Sequence, residues 1–291
     1  RLGTDALAAV GLAGTLYFTI SMVFSSLSVG SASIIARHIG AKEKEIAQVV
    51  GSQAVLMSLV LGIVVTPFLL IFAQQMLVLM SAETQVSALG KSYLQIVGGF
   101  FVFRMIILAC NGILRGAGDT KTPMKVTIII NCINILFNWL LIFGIGPFPG
   151  LGVAGAAWAT AISYTIGAVM LCTKLFTGRC VLHISISRII RVHFESVKRI
   201  IHISVPAAID AFLTQIGFLF FAKIVAILGT VPLAAHQIAI RIESISFMPG
   251  FALAVSTATL VGQSIGAKNV NLALLSMRRS CYFAMALMGF F

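Results

Sequence analysis

The chain has 291 residues, of which 59% are hydrophobic and only 10% are charged, and its formal net charge is +12. A soluble domain carries about 25% charged residues, so this composition and a mean hydropathy of +1.06 exclude an ordinary soluble core and assign the chain to a bilayer. Because it starts at Arg1 without an initiator methionine and stops inside an apolar run, we interpret it as a fragment cut at both ends.

Long apolar stretches predict eight membrane helices. In chain order they cover residues 8–36, 48–78, 92–115, 126–145, 151–173, 200–228, 233–262 and 272–291. Basic residues cluster at alternate connections, around residues 37–44, 115–125, 174–199 and 268–279. The positive-inside rule therefore predicts a multi-pass protein of the cell membrane whose basic loops are cytoplasmic. This alternation explains the net charge without nucleic-acid binding.

The chain contains an internal repeat. When it is shifted by 226 residues, residues 3–50 align with 229–276 without a gap and with 15 identities in 48 positions. The sequence "IGAK" closes both copies, at residues 39–42 and 265–268. Agreement at both ends of an ungapped alignment indicates a true duplication.

The repeat predicts the architecture. Helix 233–262 corresponds to helix 8–36, so one repeat holds six helices, and an even number gives both copies the same orientation. We expect an all-α polytopic membrane protein with two six-helix lobes, related by a pseudo-two-fold axis along the membrane normal. About eight of twelve helices are then present. Residues 1–173 belong to the N-terminal lobe, 174–199 form a cytoplasmic linker with an amphipathic surface helix, and 200–291 begin the C-terminal lobe.

Three stretches carry a family resemblance. They are "LRGAGDTKTPM" (114–124), "NILFNWLLIFGIGPFPGLGVAGAAWAT" (134–160) and "AAHQIAIRIESISFMPGFALAVSTATLVGQSIGA" (234–267). Together they resemble the multidrug and toxic compound extrusion (MATE) transporters, over nearly the whole chain. The resemblance implies two lobes around a cavity that opens alternately to each side, with Na⁺ or proton entry driving export of organic cations and other amphipathic toxins. A monomer without a further cofactor is expected.

A polar face on the first lobe is a candidate ion-coupling site. Asn134 and Asn138 are four residues apart, so they share one face of a helix, and Asn111 and Thr160 lie on neighbouring helices. Amide and hydroxyl oxygens beside a carboxylate suit a hard monovalent cation. The resemblance implies a Na⁺ site at Asn111, Asn134 and Asn138, with the carboxylate on the family's first helix. Alternatively, these side chains cross-link helices.

The second lobe carries ionisable groups within predicted membrane helices, where charge is costly. Asp210, Arg241 and Glu243 are candidates for binding protons or cationic substrates. Glu243 could instead form an ion pair with Lys223 or Arg104. Many relatives have an acidic residue near Thr214 or Gln215; Gln215 is therefore a candidate cavity residue, and the coupling ion stays open.

Two other classes of protein remain. A flippase or exporter of a lipid-linked or other amphipathic substrate would share the two lobes. An enzyme is disfavoured, since the sequence has neither an HExxH nor a GxSxG motif.

Overall fold

The computed structural model describes residues 3–80, 84–144, 150–178, 180–227 and 230–290. Within these ranges every regular element is a helix. The helices are α1 (Gly3–Gly40), α2 (Lys44–Leu79), α3 (Thr84–Gly99), α4 (Phe101–Gly116), α5 (Lys121–Phe143), α6 (Val153–Phe176), α7 (Ile186–Ile190), α8 (Phe194–Ile227), α9 (Thr230–Gly266) and α10 (Val270–Phe290).

Six of the described helices are long and apolar enough to cross a bilayer, and the bent pair α3–α4 raises the number to seven. The predicted helix 92–115 is therefore wrong as a single straight helix. The eighth predicted helix, 272–291, corresponds to α10, apart from residue 291, which lies outside the described residues. It falls outside the set of candidate spans because Arg278 and Arg279 lower its hydropathy.

The bend between α3 and α4 is 53° and follows Gly98 and Gly99. Glycine at this point lets helices pack closely, since a Cβ on Gly98 would lie 2.9 Å from the Leu69 Cβ of α2. After the bend, Phe101 is fully buried and its ring contacts Tyr17 edge-on at 5.6 Å between centroids. The bend thus redirects α4 into the middle of the first bundle.

The segment between α6 and α8 also differs from expectation. Instead of one amphipathic helix over 174–199, its described part contains only the five-residue α7. Some apolar residues of the segment turn into the bundle, where Leu182 and Ile184 are almost fully buried, whereas Ile190 and Val192 are exposed. Buried Gln53 of α2 holds this irregular backbone, because its amide donates to the carbonyls of Arg188 and Arg191 and accepts from the His193 N–H, at 3.3, 2.9 and 3.1 Å. Backbone groups that would bond within a helix are satisfied by this side chain instead.

The internal repeat is visible in the backbone. Lys42 and Lys268, at equivalent positions after α1 and α9, have φ of 64° and 57°, and they are the non-glycine residues with positive φ among those described. The preceding turns share one hydrogen-bond pattern: the Lys42 N–H donates to the Ile39 carbonyl and the Lys268 N–H to the Ile265 carbonyl, both at 3.0 Å. Both helices therefore end in the same left-handed turn.

The ends of α1 and α9 also contact each other reciprocally. A Cβ on Gly40 would overlap the Gln263 carbonyl, and a Cβ on Gly266 would overlap the Arg37 carbonyl. In the repeat numbering Gly40 corresponds to Gly266 and Arg37 to Gln263. Ala36 and Gly262, which are also equivalent, face each other between these contacts. A local two-fold axis relating the two copies therefore passes between α1 and α9.

Candidate functional site

A polar cavity of about 240 Å³ lies inside the first bundle, among α1, α3, α4, α5 and α6. The side chains that define this polar cavity are Tyr17, Tyr93, Arg104, Asn134, Thr160 and Tyr164. Two of the predicted site residues, Asn134 and Thr160, thus line one space. Asn131 of α5 lines it as well.

Hydrogen bonds link three of the predicted residues in a row. The Asn138 amide donates to Asn134 Oδ1 at 2.9 Å, and the Asn134 amide points to Thr160 Oγ1 at 3.4 Å. The Thr160 hydroxyl in turn donates to the Ala156 carbonyl at 3.0 Å. Amide and hydroxyl oxygens keep further lone pairs in this arrangement, so the row can accept a further hydrogen bond or contact a cation. It also joins α5 to α6.

Arg104 brings a positive charge to the same cavity. Its guanidinium lies 5.0 Å from the centre of the Tyr164 ring, a cation–π distance, and Tyr164 stacks on Tyr17 at 6.4 Å. Arg104 Nε is buried without a hydrogen-bond partner among the described residues. A buried donor of this kind favours an acceptor or an anion in the adjoining space.

The sequence prediction named Arg104 only as an ion-pair partner and did not include the three tyrosines. Tyrosines in apolar helices are ordinary packing residues, so composition and spacing give no signal for them. The arginine within a membrane helix was the available signal.

Asn111 lies in a different cavity from Asn134. This interlobe cavity, of about 400 Å³, is bounded by α1, α4 and α9, and Phe18, Ser21, Arg104, Asn111, Arg115 and Thr259 are among its lining residues. Asn111 Oδ1 is buried and has no partner in the described part of the chain. Phe18, Ser21 and Arg104 line both cavities. Asn111 and Asn134 therefore line two adjoining spaces, whereas Asn138 is not among the lining residues of either.

The candidates of the second lobe are not brought to either cavity. Asp210 of α8 and Glu243 of α9 are exposed, and Gln215 is half-buried. The expected ion pair of Glu243 with Lys223 or Arg104 is not found among the described side chains, whose recorded salt bridge joins His38 and Glu43. Arg241 is part of α9, but its side chain lies outside the described residues.

Acidic, histidine and cysteine side chains do not cluster in the described ranges: no group of three that could hold a metal ion occurs there. The candidate ligands for a cation in the first lobe are thus the neutral oxygens of the amide and hydroxyl row.

Comparisons with known proteins identify the fold. The MatE family model matches residues 1–140 and 206–291. The "Probable multidrug resistance protein NorM" of Thermotoga maritima is 32% identical over 265 residues, which are 91% of this chain and 56% of that protein. The "Uncharacterized transporter YisQ" of Bacillus subtilis is 27% identical over 283 residues, covering 97% of this chain and 62% of that protein.

Comparison with solved structures gives matches to the same kind of protein. A crystal structure of MATE in the straight conformation superimposes with a TM-score of 0.89 at 28% identity, covering 98% of this chain and 63% of that one. A MOP superfamily transporter from Pyrococcus furiosus, described as having a binding pocket of reverse polarity that suggests a different function, gives 0.90 at 28% identity, covering 98% and 63%.

The structural matches confirm the all-α membrane fold and its two-lobe layout. The chain spans less than two thirds of the length of these relatives. The family model covers most of it, and the motifs, the repeat and the structure agree. The chain therefore belongs to the MatE family, the multidrug and toxic compound extrusion transporters.

Proposed function

We propose that the full-length protein is a cation-coupled exporter of amphipathic, drug-like compounds that works by alternating access, and not an enzyme. The observation that carries the proposal is the interlobe cavity, bounded by α1 and α4 of the first lobe and α9 of the second. A cavity between repeats changes its access when one repeat moves against the other.

The lining of the interlobe cavity suits an amphipathic substrate. Phe18, Val255 and Phe251 give it apolar walls, while Asn111 and a few serines supply polar groups. Apolar walls with a small number of polar groups are typical of small-molecule sites. The multidrug resistance description of the Thermotoga maritima relative supports the same class of substrate.

We assign ion coupling to the row formed by Asn138, Asn134 and Thr160. The coupling ion is a substrate that moves against the exported compound: Na⁺ would contact these neutral oxygens, whereas a proton would bind a titratable group such as Asp210 or Glu243. Binding of the ion would affect the interlobe cavity through Arg104, because this side chain lines both the polar cavity and the interlobe cavity. Loss of the row should then uncouple ion entry from export.

Organic cations are the first substrate class, and Glu243 is the candidate carboxylate that attracts them. A second class is favoured by a specific observation: Arg104 and Arg115 line the interlobe cavity, and its described lining contains no carboxylate. Positive charge there favours amphipaths with an anionic group, including lipid-linked ones. The reverse polarity described for the Pyrococcus furiosus relative supports this alternative.

The test uses the full-length protein reconstituted in vesicles, with the Na⁺ and pH gradients set independently. Ethidium serves as the organic cation and carboxyfluorescein as the anionic dye, and protein-free vesicles are the control. Gradient-driven movement of ethidium supports the first class, and movement of carboxyfluorescein alone supports the second. The proposal fails if, under each gradient, both dyes cross the membrane no faster than in protein-free vesicles.

We further propose that the protein works as a monomer in the cell membrane, with its basic loops in the cytoplasm. The clustering of basic residues at alternate connections supports this orientation.

A further inference from the structure

A large cavity lies at the basic end of the helices, next to the interlobe cavity, with which it shares Ser33. It has a volume of about 1000 Å³ and is formed where α1 and α9 end and α8 begins. We name it the basic cavity after its charged lining residues, which are Arg37, His38, Glu43, Lys198, Arg199 and Lys268, together with His202.

The positive charges of the basic cavity are not compensated. Glu43 is its one carboxylate among the described lining residues, and it is bound to His38 at 2.7 Å. Arg37, Lys198 and Lys268 form no recorded ion pair or side-chain hydrogen bond with the described part of the chain. Like charges converging on one space repel one another unless an anion lies between them.

The positive-inside rule accounts for the side of the membrane but not for this convergence. It requires basic residues in the loops, whereas here α1, α8 and the turn after α9 all contribute basic residues to one cavity. The repeat shows that the fold does not need Arg37 at this position. The counterpart of Arg37 is Gln263, whose side-chain amide donates to the Gly116 carbonyl at 3.2 Å. One copy therefore has a structural amide where the other has a guanidinium without a side-chain partner among the described residues.

We propose that the basic cavity binds a phosphate group. Arginine forks and lysine ammonium groups are the usual protein ligands of phosphate, and basic pockets between membrane helices bind anionic headgroups. The phosphate comes either from an anionic lipid or from free phosphate in the cytoplasm. A bound phosphate would join Lys198, at the start of α8, to Arg37, at the end of α1.

This bridge would act on the contact between the lobes. Gly40 and Gly266, where α1 and α9 touch most closely, lie one turn or less from Arg37 and Lys268. Gly266 itself lines the basic cavity. Occupation of the cavity would therefore stabilise the arrangement in which this end of the transporter is closed.

The experiment measures ligand-dependent melting of the full-length protein in a neutral detergent at about 150 mM salt, which screens exposed charges beyond roughly 8 Å. One arm titrates short-chain phosphatidylglycerol, a second titrates inorganic phosphate, and short-chain phosphatidylcholine is the zwitterionic lipid control. The double variant R37Q/K198Q removes two charges from the basic cavity. The matched control K121Q/K125Q removes two exposed lysines at the start of α5, which do not line it.

Phosphatidylglycerol or phosphate should raise the melting temperature of the unmodified protein and of K121Q/K125Q. The apparent affinity should be about 30-fold weaker in R37Q/K198Q, since each basic residue near an anionic group contributes a factor of about five. A response to phosphatidylglycerol alone identifies a lipid headgroup, and an equal response to inorganic phosphate identifies a soluble anion. The proposal is overturned if neither ligand stabilises the protein, or if the two double variants respond alike.

Discussion

At the scale of single residues, two threonines of α6 separate an ion-coupling role from helix packing. Thr160 and Thr165 both donate to the carbonyl four residues earlier, at 3.0 and 2.8 Å. Only Thr160 lines the polar cavity and lies beside the Asn134 amide. The change to valine is the same at both positions, so the contribution to helix stability cancels in the comparison.

We expect Thr160→Val in the full-length protein to reduce ion-driven export by about tenfold or more, because the row loses its hydroxyl oxygen and each lost polar contact to an ion costs roughly 1.5–3 kcal/mol. Thr165→Val should keep export near that of the unmodified protein. Gradient-driven dye transport in vesicles, normalised to the amount of folded protein, measures both. Equal transport by the two variants would mean that the row only holds α5 and α6 together and has no role in ion coupling.

Glu243 gains support from the repeat. Its counterpart is Tyr17, which lines the polar cavity of the first lobe, so Glu243 occupies the equivalent position of the second lobe. We expect Glu243→Gln to be inserted normally and to cut export of cationic dyes sharply, while Glu243→Asp keeps part of the activity because the charge remains. Normal export by Glu243→Gln, with a lower melting temperature, would make Asp210 the leading carboxylate.

The sequence predicted the residues of the polar row but not their surroundings. Helical spacing placed Asn134 and Asn138 on one face, and the structure links them. The structure places Asn111 in the adjoining interlobe cavity. The sequence did not predict this, because a shared polar character does not tell on which side of α4 a residue lies. Arg104 joins the two cavities, and only the packing of α1 against α4 shows this.

At the scale of elements, hydropathy could not predict the bend after α3, because it measures the length of an apolar stretch and not the direction of the helix axis. The sequence does contain the pair Gly98–Gly99 at this place. A glycine pair alone does not indicate a bend, because its effect depends on which helix packs against it. A Cβ on Gly98 would meet Leu69 of α2 at 2.9 Å, whereas one on Gly99 would approach Leu70 only to 3.9 Å. The close contact with α2 therefore constrains one glycine of the pair.

Gly98→Ala should accordingly destabilise the full-length protein by about 1–3 kcal/mol, the usual cost of overpacking. Gly99→Ala should be neutral or slightly stabilising, since alanine restricts the unfolded chain. The apparent melting temperatures of the two variants in detergent give the comparison. A lower melting temperature for Gly99→Ala than for Gly98→Ala would contradict this account of the bend.

At the scale of the whole molecule, the duplication read from the sequence predicted an axis, and the reciprocal contacts of α1 and α9 locate it. Ungapped alignment fixed which residues are equivalent. It could not show that equivalent residues also touch each other, because two copies can be related by symmetry without lying in contact. Gly40 and Gly266 provide that information: each is glycine because a carbonyl of the other copy occupies the place of its Cβ.

This reciprocity leads to a prediction about coupling. Gly40→Ala and Gly266→Ala should each cost about 1–3 kcal/mol, because either Cβ forces the ends of α1 and α9 apart. Once they are apart, the second Cβ meets no carbonyl, so the double variant should be less destabilised than the sum of the two. Gly11→Ala is the control, since a Cβ there contacts nothing within 4 Å among the described residues, and it should not lower the melting temperature. Additive losses in the double variant would mean that each glycine is held by an independent contact, and the axis between α1 and α9 would then have no role in joining the lobes.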